Sequence, residues 1–435
     1  MFKLRVCAFL SDEQGGGTLW GLFWFMILLS IAGVSVDGTD AFRNDTMLQA
    51  TADAAALAAV IDLPRADSAV ASAVEYAGKN MPPEVYGDVL LAEDVDIGIW
   101  DAENRTFIRD VPIPDAVHVR VRMDHARGNA VVASFLRIVG FKAWELEAHA
   151  IAQKFTPQCY TDGLVARGYV DTSSNNQYYN EFCIHGQQGV YLQNGSFFEL
   201  GTSVSMPDLS LLTIPTDGLT SNPGLEDALR EGSLDPRMVD RVPEIMDMYL
   251  DPTSPIQPIW IDQSKPVIEV DCNFNFGDHE TKRIYHVICP ANKQVQIPAN
   301  SYIRETLVIA ESQIKIPSGA TLEDVILASR ATTSNDGANI HFSSSVKLGR
   351  ADDCADGGGV QIFSTQNLFI SSSITFNGVQ LVSAKNVDLG ASDAGVKGLA
   401  VQAGGNIKLS SNNAFGLCNG DDPLLLTNQH YRLVN

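Results

Sequence analysis

From Gln14 to Val36 the chain carries no ionisable residue, and Leu19 to Val34 is apolar almost throughout. A helix of about 20 apolar residues crosses a bilayer, so residues 18–36 are expected to form a transmembrane helix behind a short head, 1–17. Helix-forming sequence continues through the alanine-rich run Gln49-Ala-Thr-Ala-Asp-Ala-Ala-Ala-Leu-Ala-Ala59. Pro64 ends or bends it, so residues 37–61 read as a helical stalk. Ala52 with Ala56, and Ala55 with Ala59, form small-residue ridges that allow close approach of a second helix. The sequence shows no partner for them, and the helix propensity of alanine explains them as well. Arg65 to Asn80 reads as a second helix, with Val70, Ala73, Val74 and Ala77 on one face.

The period then changes from 3.6 to 2. Val95, Ile97 and Ile99 alternate with Asp94, Asp96 and Gly98, and a turn follows at Asp101–Asn104. Val117, Val119, Val121 and Met123 alternate with His118, Arg120 and Arg122, as Trp144, Leu146 and Ala148 do with Glu145, Glu147 and His149. These are half-buried antiparallel strands. Ala130 to Val139 between them reads as a helix. Residues 62–157 are therefore expected to form a small α+β domain, one sheet with helices on one face. Arg120 and Arg122 set against Glu145 and Glu147 make a solvated sheet face.

From Cys159 onward Gly, Ser, Asn and short apolar runs dominate, and the chain repeats itself. Gly359-Val-Gln-Ile-Phe-Ser-Thr-Gln-Asn-Leu-Phe-Ile-Ser-Ser-Ser373 aligns with stretches starting at Gly378 and Gly398. Stretches from Gly319 and Gly337 keep a similar register, and Cys183–Gly195 and Ile288–Ile297 resemble degenerate earlier repeats. A repeat near 20 residues, built of short strands and small polar turns, suits a parallel β-helix whose turns stack on one another. Residues 158–435 are thus expected to be mainly β, a parallel β-helix with a β-sandwich as the alternative. A helical insertion or flanking cap is expected at about 217–250. A leucine-rich repeat is set aside, because its leucine spacing and a recurrent Asn are not found.

The formal net charge is −22, and the head's two cations and two acids cancel, so the rest of the chain carries all of it. Such a surface repels nucleic acid and anionic headgroups. Lys3 and Arg5 precede the apolar segment and Asp37 and Asp40 follow it, which orients the N-terminus to the cytoplasm. A cleaved signal is the alternative, with Ala32 and Ser35 imitating a cleavage site. Cys7 lies on the cytoplasmic side. Cys159, Cys183, Cys272, Cys289, Cys354 and Cys418 form an even set on the exported side, read as disulfides. Sequence does not choose among their connectivities; sequential pairing, 159–183, 272–289 and 354–418, is the expectation.

Catalytic and cofactor signatures are missing: no Gly-x-Ser-x-Gly, His-Glu-x-x-His, P-loop or dinucleotide fingerprint occurs. No catalytic, cofactor-binding or metal residue is assigned. His279-Glu280 with His286 is the one dense polar cluster, explained by a loop closed between Cys272 and Cys289. Asp352, Asp353 and Asp356 around Cys354 could hold calcium, though a solvated acidic loop explains them better, as it does Asp421-Asp422.

The block Phe9-Leu-Ser-Asp-Glu-Gln-Gly15, the apolar span ending Ala32-Gly-Val-Ser-Val-Asp37, and Leu48-Gln-Ala-Thr-Ala-Asp-Ala-Ala-Ala-Leu-Ala-Ala59 resemble TadG-like proteins of the bacterial Tad (Flp) pilus-assembly system. Phe135-Leu-Arg-Ile-Val-Gly140 with Ala148-His-Ala-Ile-Ala152 resembles the end of that family's N-terminal region. The resemblance covers the first third of the chain. It implies an inner-membrane protein, single-pass with its bulk in the periplasm, whose partners are other Tad assembly proteins or pilins. Trp20, Gly21 and Leu22 stand where a pilin-like cleavage site would need Glu, so prepilin processing is not expected. Asp171-Thr-Ser-Ser-Asn175 departs from the metal-site string Asp-x-Ser-x-Ser that some relatives carry.

These readings lead to a non-enzymatic, membrane-anchored assembly or adhesion component, with its β-rich part as a contact surface for protein or glycan. The alternatives are a β-helix enzyme acting on polysaccharide, a secreted adhesin and a plain tethered spacer. Among the aligned repeats Lys385 and Asp388 stand out as charged amid Ser, Thr, Asn and Gln, which favours binding.

Overall fold

The computed structural model describes residues 16–434 apart from 103, 110, 291–292, 333–337, 353–354, 356, 393–394, 417–425 and 427–428. The chain divides into two units, Met1–Phe155 with Gln429–Asn435, and Thr156–Asn428. Each is described by itself.

The first unit starts with one continuous helix, α1 (Gly16–Ile61), of 46 residues. At a rise of about 1.5 Å per residue it is roughly 69 Å long. Its N-terminal part is long and apolar enough to cross a membrane, and its large side chains there are exposed, Leu19 at 73% and Phe25 at 60%. Its C-terminal part is buried at Leu48, Ala52, Ala55, Ala56 and Ala59. The alanine ridges therefore do have partners. Ala69, Ala73 and Ala77 of α2 (Ala66–Asn80) join the same core.

The other side of that core is an antiparallel sheet of β1 (Val95–Asp101), β2 (Thr106–Arg109), β3 (Ala116–Met123), β6 (Leu146–Phe155) and the strand His430–Val434, in the order β2–β1–β3–β6–430–434. Register places Val117, Val119 and Val121 opposite Ala152, Ala150 and Ala148, all buried. Small residues on both the helix and one strand let α1 approach the sheet closely. The sequence reading assigned residues 430–434 to the second domain. They return to the first, where His430 pairs with Phe155 and Val434 with Ile151. The whole second unit is thus an insertion between two neighbouring strands.

The expected helix at 130–139 does not form. β4 (Val131–Val132) pairs with β5 (Ala143–Trp144), and a 3₁₀ turn, Leu136–Val139, sits between them. The cause lies almost 100 residues upstream. The Asp37 carboxylate accepts from Ser134 N at 3.1 Å, Phe135 N at 2.9 Å and Leu136 N at 2.7 Å, which fixes a turn. Asp37→Ala leaves these three amides without their acceptor, at a cost of about 2 kcal/mol or more. The expected outcome is faster tryptic cleavage at Arg137 and Lys142 in detergent, with the other sites unchanged.

On the sheet's outer face Arg120 stands opposite His149 and Arg122 opposite Glu147. Arg122 reaches Asp94, and Glu145 pairs with His125 at 2.8 Å. His118 stacks on His149 with a nitrogen–nitrogen distance of 3.2 Å. Burial, and then the neighbouring His149, hold the His118 pKa below the usual histidine range.

In the second unit every pairing among the described strands is parallel, where a sandwich would use antiparallel ones. Each repeat supplies one strand to each of two long sheets. Val360, Val379 and Leu399 are register partners, and so are Leu368, Val387 and Ile407, so the alignment of the repeats at Gly359, Gly378 and Gly398 matches the pairing residue for residue. The upstream alignment does not: Ile340 pairs with Leu368, not with Ile362. The excursion from Gly349 to Gly359 lengthens that repeat, and the strand Thr321–Ser329 pairs with both Lys347–Leu348 and Val360–Ser364 around it.

Spatial order departs from sequence order. Strands 163–166, 183–186, 203–206 and 229–231 run outward one way. The chain then crosses to the opposite edge at 268–270 and works back, through 283–287, 302–310, 321–329, 360–364 and 375–383, to 396–403. That last strand pairs with the first, Val401 against Leu164, and the second sheet closes likewise, Ile407 against Val170. We call this junction the seam.

The crossing segment, residues 232–267, carries a 3₁₀ turn and a short helix and acts as a strap. Met238, Val242, Ile245 and Met246 of the 3₁₀ turn Arg237–Arg241 and of α3 (Val242–Leu250) pack on Leu307, Ile309, Ile326 and Phe363. Strands such as Leu307-Val-Ile-Ala310 are unbroken apolar runs because both faces are covered.

Candidate functional site

The Asn of each aligned repeat sits at the ninth position, just before a strand of the second sheet. Asn386 donates through Nδ2 to Asn367 Oδ1 at 3.1 Å, and Asn386 Oδ1 accepts from Asn406 N at 2.8 Å. Asn406 Oδ1 accepts in turn from Tyr169 N at 2.9 Å, so the ladder runs across the seam. A second ladder joins Ser392, Asn413, Asn176, Ser196 and Asn222. An amide fits these places because it can donate to one neighbour and accept from the other. Asn386→Ala breaks the first ladder in its middle; urea unfolding should show a loss of about 1–2 kcal/mol. An unchanged midpoint would mean that water replaces the amide.

Beside the first ladder lies a groove of about 350 Å³, lined by Asn367, Asn386, Asn406, Phe369, Asp388 and Lys408 with Leu368 and Ala338. Alternate residues of a strand face opposite ways, so each short strand sends one side chain outward here. In register they form a row: Lys315, His341, Phe369, Asp388, Lys408, Asp171 and Tyr191. His341 lies edge-on to Phe369 at 4.9 Å, and Tyr191 to Tyr169 at 4.9 Å. The row thus combines aromatic faces with charges of both signs. Strands are about 4.8 Å apart, so Asp388 and Asp171, either side of Lys408, are separated by roughly 9.6 Å along the row.

The sequence signal for this row was present but unused. Phe369, Asp388 and Lys408 share the eleventh position of the three aligned repeats. Asp171 could not be found that way, because it comes from the other end of the unit and joins through the seam. The string Asp171–Asn175 is the end of a strand and a turn: Asp171 faces out, Thr172 is fully buried, and Asn175 has a left-handed φ of 60°. Asn does recur in these repeats, contrary to the sequence reading, although the leucine spacing of a leucine-rich repeat is still missing.

Of the cysteines, Cys159 is bonded to Cys183 and Cys272 to Cys289. The first ties the entry of the unit to its second repeat, and the second ties neighbouring strands at the far edge. Cys7, Cys354 and Cys418 lie outside the described residues. So do Asp353, Asp356, Asp421 and Asp422, while Asp352 pairs with Arg350 at 2.6 Å. The histidine cluster disperses. His279 Nδ1 bonds Phe276 O at 2.8 Å, His286 meets Glu311 at 2.9 Å, and Glu280 pairs with Arg283 at 2.6 Å. Among the described residues no three of His, Cys, Asp or Glu gather as a metal set.

Comparison with known proteins gives two family matches. The Tad family model, of TadE/G-like Flp pilus-assembly proteins, matches residues 15–74, which are α1 and the start of α2. No curated protein and no solved structure matches the chain. The second match begins on the first strand of the parallel sheets and runs past the last repeat. With residues 163–419, more than half its length, matched by the model described as Domain of unknown function (DUF7867), the chain belongs to that family.

Proposed function

We propose that this is a single-pass, non-enzymatic component of Tad/Flp pilus assembly or surface adhesion, anchored in the bacterial inner membrane by residues 18–36. Its N-terminus is cytoplasmic, and the part of the first unit beyond the span and the whole second unit are periplasmic. The second unit is a parallel β-helix whose outward row, Lys315 to Tyr191, is a contact face for another assembly protein, a pilin or a glycan. The observation that carries the reading is the Tad match lying on an exposed apolar helix. The 19- and 20-residue offsets between paired strands support the β-helix. In spheroplasts, added protease should remove a C-terminal epitope while the N-terminal head stays protected. Release of a shortened soluble form would instead make the first segment an export signal.

One observation favours a second reading, a polysaccharide-acting enzyme. Inverting glycoside hydrolases hold two carboxyl groups about 6.5–9.5 Å apart, and the backbones that carry Asp388 and Asp171 are about 9.6 Å apart by strand spacing, at the edge of that range. Full-length protein incubated with cell-surface polysaccharide separates the two. Retention without new reducing ends supports a contact face; new reducing ends that vanish in Asp388→Asn and Asp171→Asn support the enzyme.

A further inference from the structure

The segment 132–142 exposes large apolar side chains that the first unit's core does not use. Val132 is 64% exposed, Ile138 61%, Val139 56%, Phe135 41% and Phe141 39%. Its place along α1 is fixed twice, by Asp37 holding its amides and by Gly33, where an added Cβ would come within 3.0 Å of Phe135 Cβ. Thr18 to Val36 is a run of apolar and uncharged residues roughly 28 Å long as a helix, close to the bilayer's apolar thickness of about 30 Å. The segment therefore lies beside the last turn of the apolar span, at the depth where α1 leaves the hydrocarbon. Asp37, the first acid after the span, is buried, so it puts no carboxylate into the lipid. Arg137 and Lys142 are the segment's charged groups, both exposed and both positive, on a chain whose formal charge is −22.

We propose that residues 132–142 dip into the outer interface of the same bilayer that α1 spans, as a second, non-spanning membrane contact. Ile138, Val139 and Phe141 enter the boundary between headgroups and acyl chains, and Arg137 and Lys142 meet anionic headgroups. Apolar groups flanked by cations are what an interfacial segment needs; it inserts about 5–10 Å. The occupant is lipid rather than protein because the exposed face is continuous with the exposed apolar face of α1. The contact fixes the rotation of α1 about its axis, and so which side of the first unit faces the membrane. The inference rests on the reading of residues 18–36 as an anchor.

A benzophenone-bearing phenylalanine placed at Ile138 in the full-length protein tests it, in vesicles of phosphatidylethanolamine and phosphatidylglycerol. Leu28, in the span, and Val85, 73% exposed and remote from the span, serve as controls. After irradiation, mass spectrometry should find lipid adducts at 28 and 138 and none at 85. Arg137→Glu with Lys142→Glu should lower the yield at 138 several-fold and leave that at 28 unchanged. Adducts at 28 without any at 138 overturn the inference and leave the anchor standing. Cross-linked dimers through 138 overturn it in favour of a second copy. Absence at both positions overturns the anchor and the inference together.

Discussion

Asp94→Ala should destabilise the first unit by about 3–5 kcal/mol, the usual cost of removing one partner from a buried ion pair. The carboxylate is 1% exposed and accepts from Leu91 N at 3.0 Å, from Arg122 and from Arg127. Arg127 is itself 8% exposed, and its guanidinium also donates to Val89 O at 2.8 Å. Without Asp94, Arg127 keeps its bond to Val89 O but loses its counter-charge, and Arg122 is left with the more distant Asp124 and Glu147. Hydrogen exchange localises the effect: amides of β3 and β6 should exchange faster while those of 360–409 do not change. Acid should reproduce the loss. Burial pushes the Asp94 carboxyl up, but the bonds from Arg127, Leu91 N and Arg122 outweigh it and hold its pKa below the usual aspartate value. Its stabilisation is therefore present above that value and disappears as pH falls through the lower folded one. A loss under about 1 kcal/mol would mean that water, not Asp94, compensates the arginines.

Asp162→Asn should do the opposite to the second unit. Asp162 sits at the seam, where Oδ1 accepts from Leu399 N at 3.2 Å. Burial raises its carboxyl to about 7. The folded state then binds a proton that the unfolded state releases above about pH 4, so stability falls as pH rises from 4 to 7 and stays at its lower level beyond. Three pH units correspond to up to about 4 kcal/mol. The asparagine variant, neutral throughout, should recover much of this at pH 8 and flatten the slope between 4 and 7. Identical pH profiles for the two proteins would show that the carboxylate is solvated when ionised.

The parts of this fold that follow from local periodicity were legible in the sequence. The apolar span, α2, the alternation of Val117 to Met123 and the repeats at 359, 378 and 398 each encode their own conformation. What was hidden depends on residues far apart in the chain. The turn at 136–139 has good local helix sequence but takes its shape from Asp37. The strap 237–250 looks like an insertion until Leu307, Ile309 and Phe363 are seen to need a cover. The groove was half legible: Phe369, Asp388 and Lys408 share one repeat position, but Asp171 and Tyr191 reach it only through the seam.

The placement of strand 430–434 sets the order in which the protein can be completed. β6 is made before the second unit, and the strand that covers its edge is made 275 residues after Phe155. At about 5–20 residues per second, the edge of β6 waits roughly 15–55 s for its neighbour. Through that interval it is an open, pairing-competent strand. The wait ends only when residues 430–434 arrive, so a change at this strand acts on the earliest-made domain and not on the repeats beside it in sequence. The insertion thus acts as a timer: the first unit's sheet is finished only after the second unit has been synthesised.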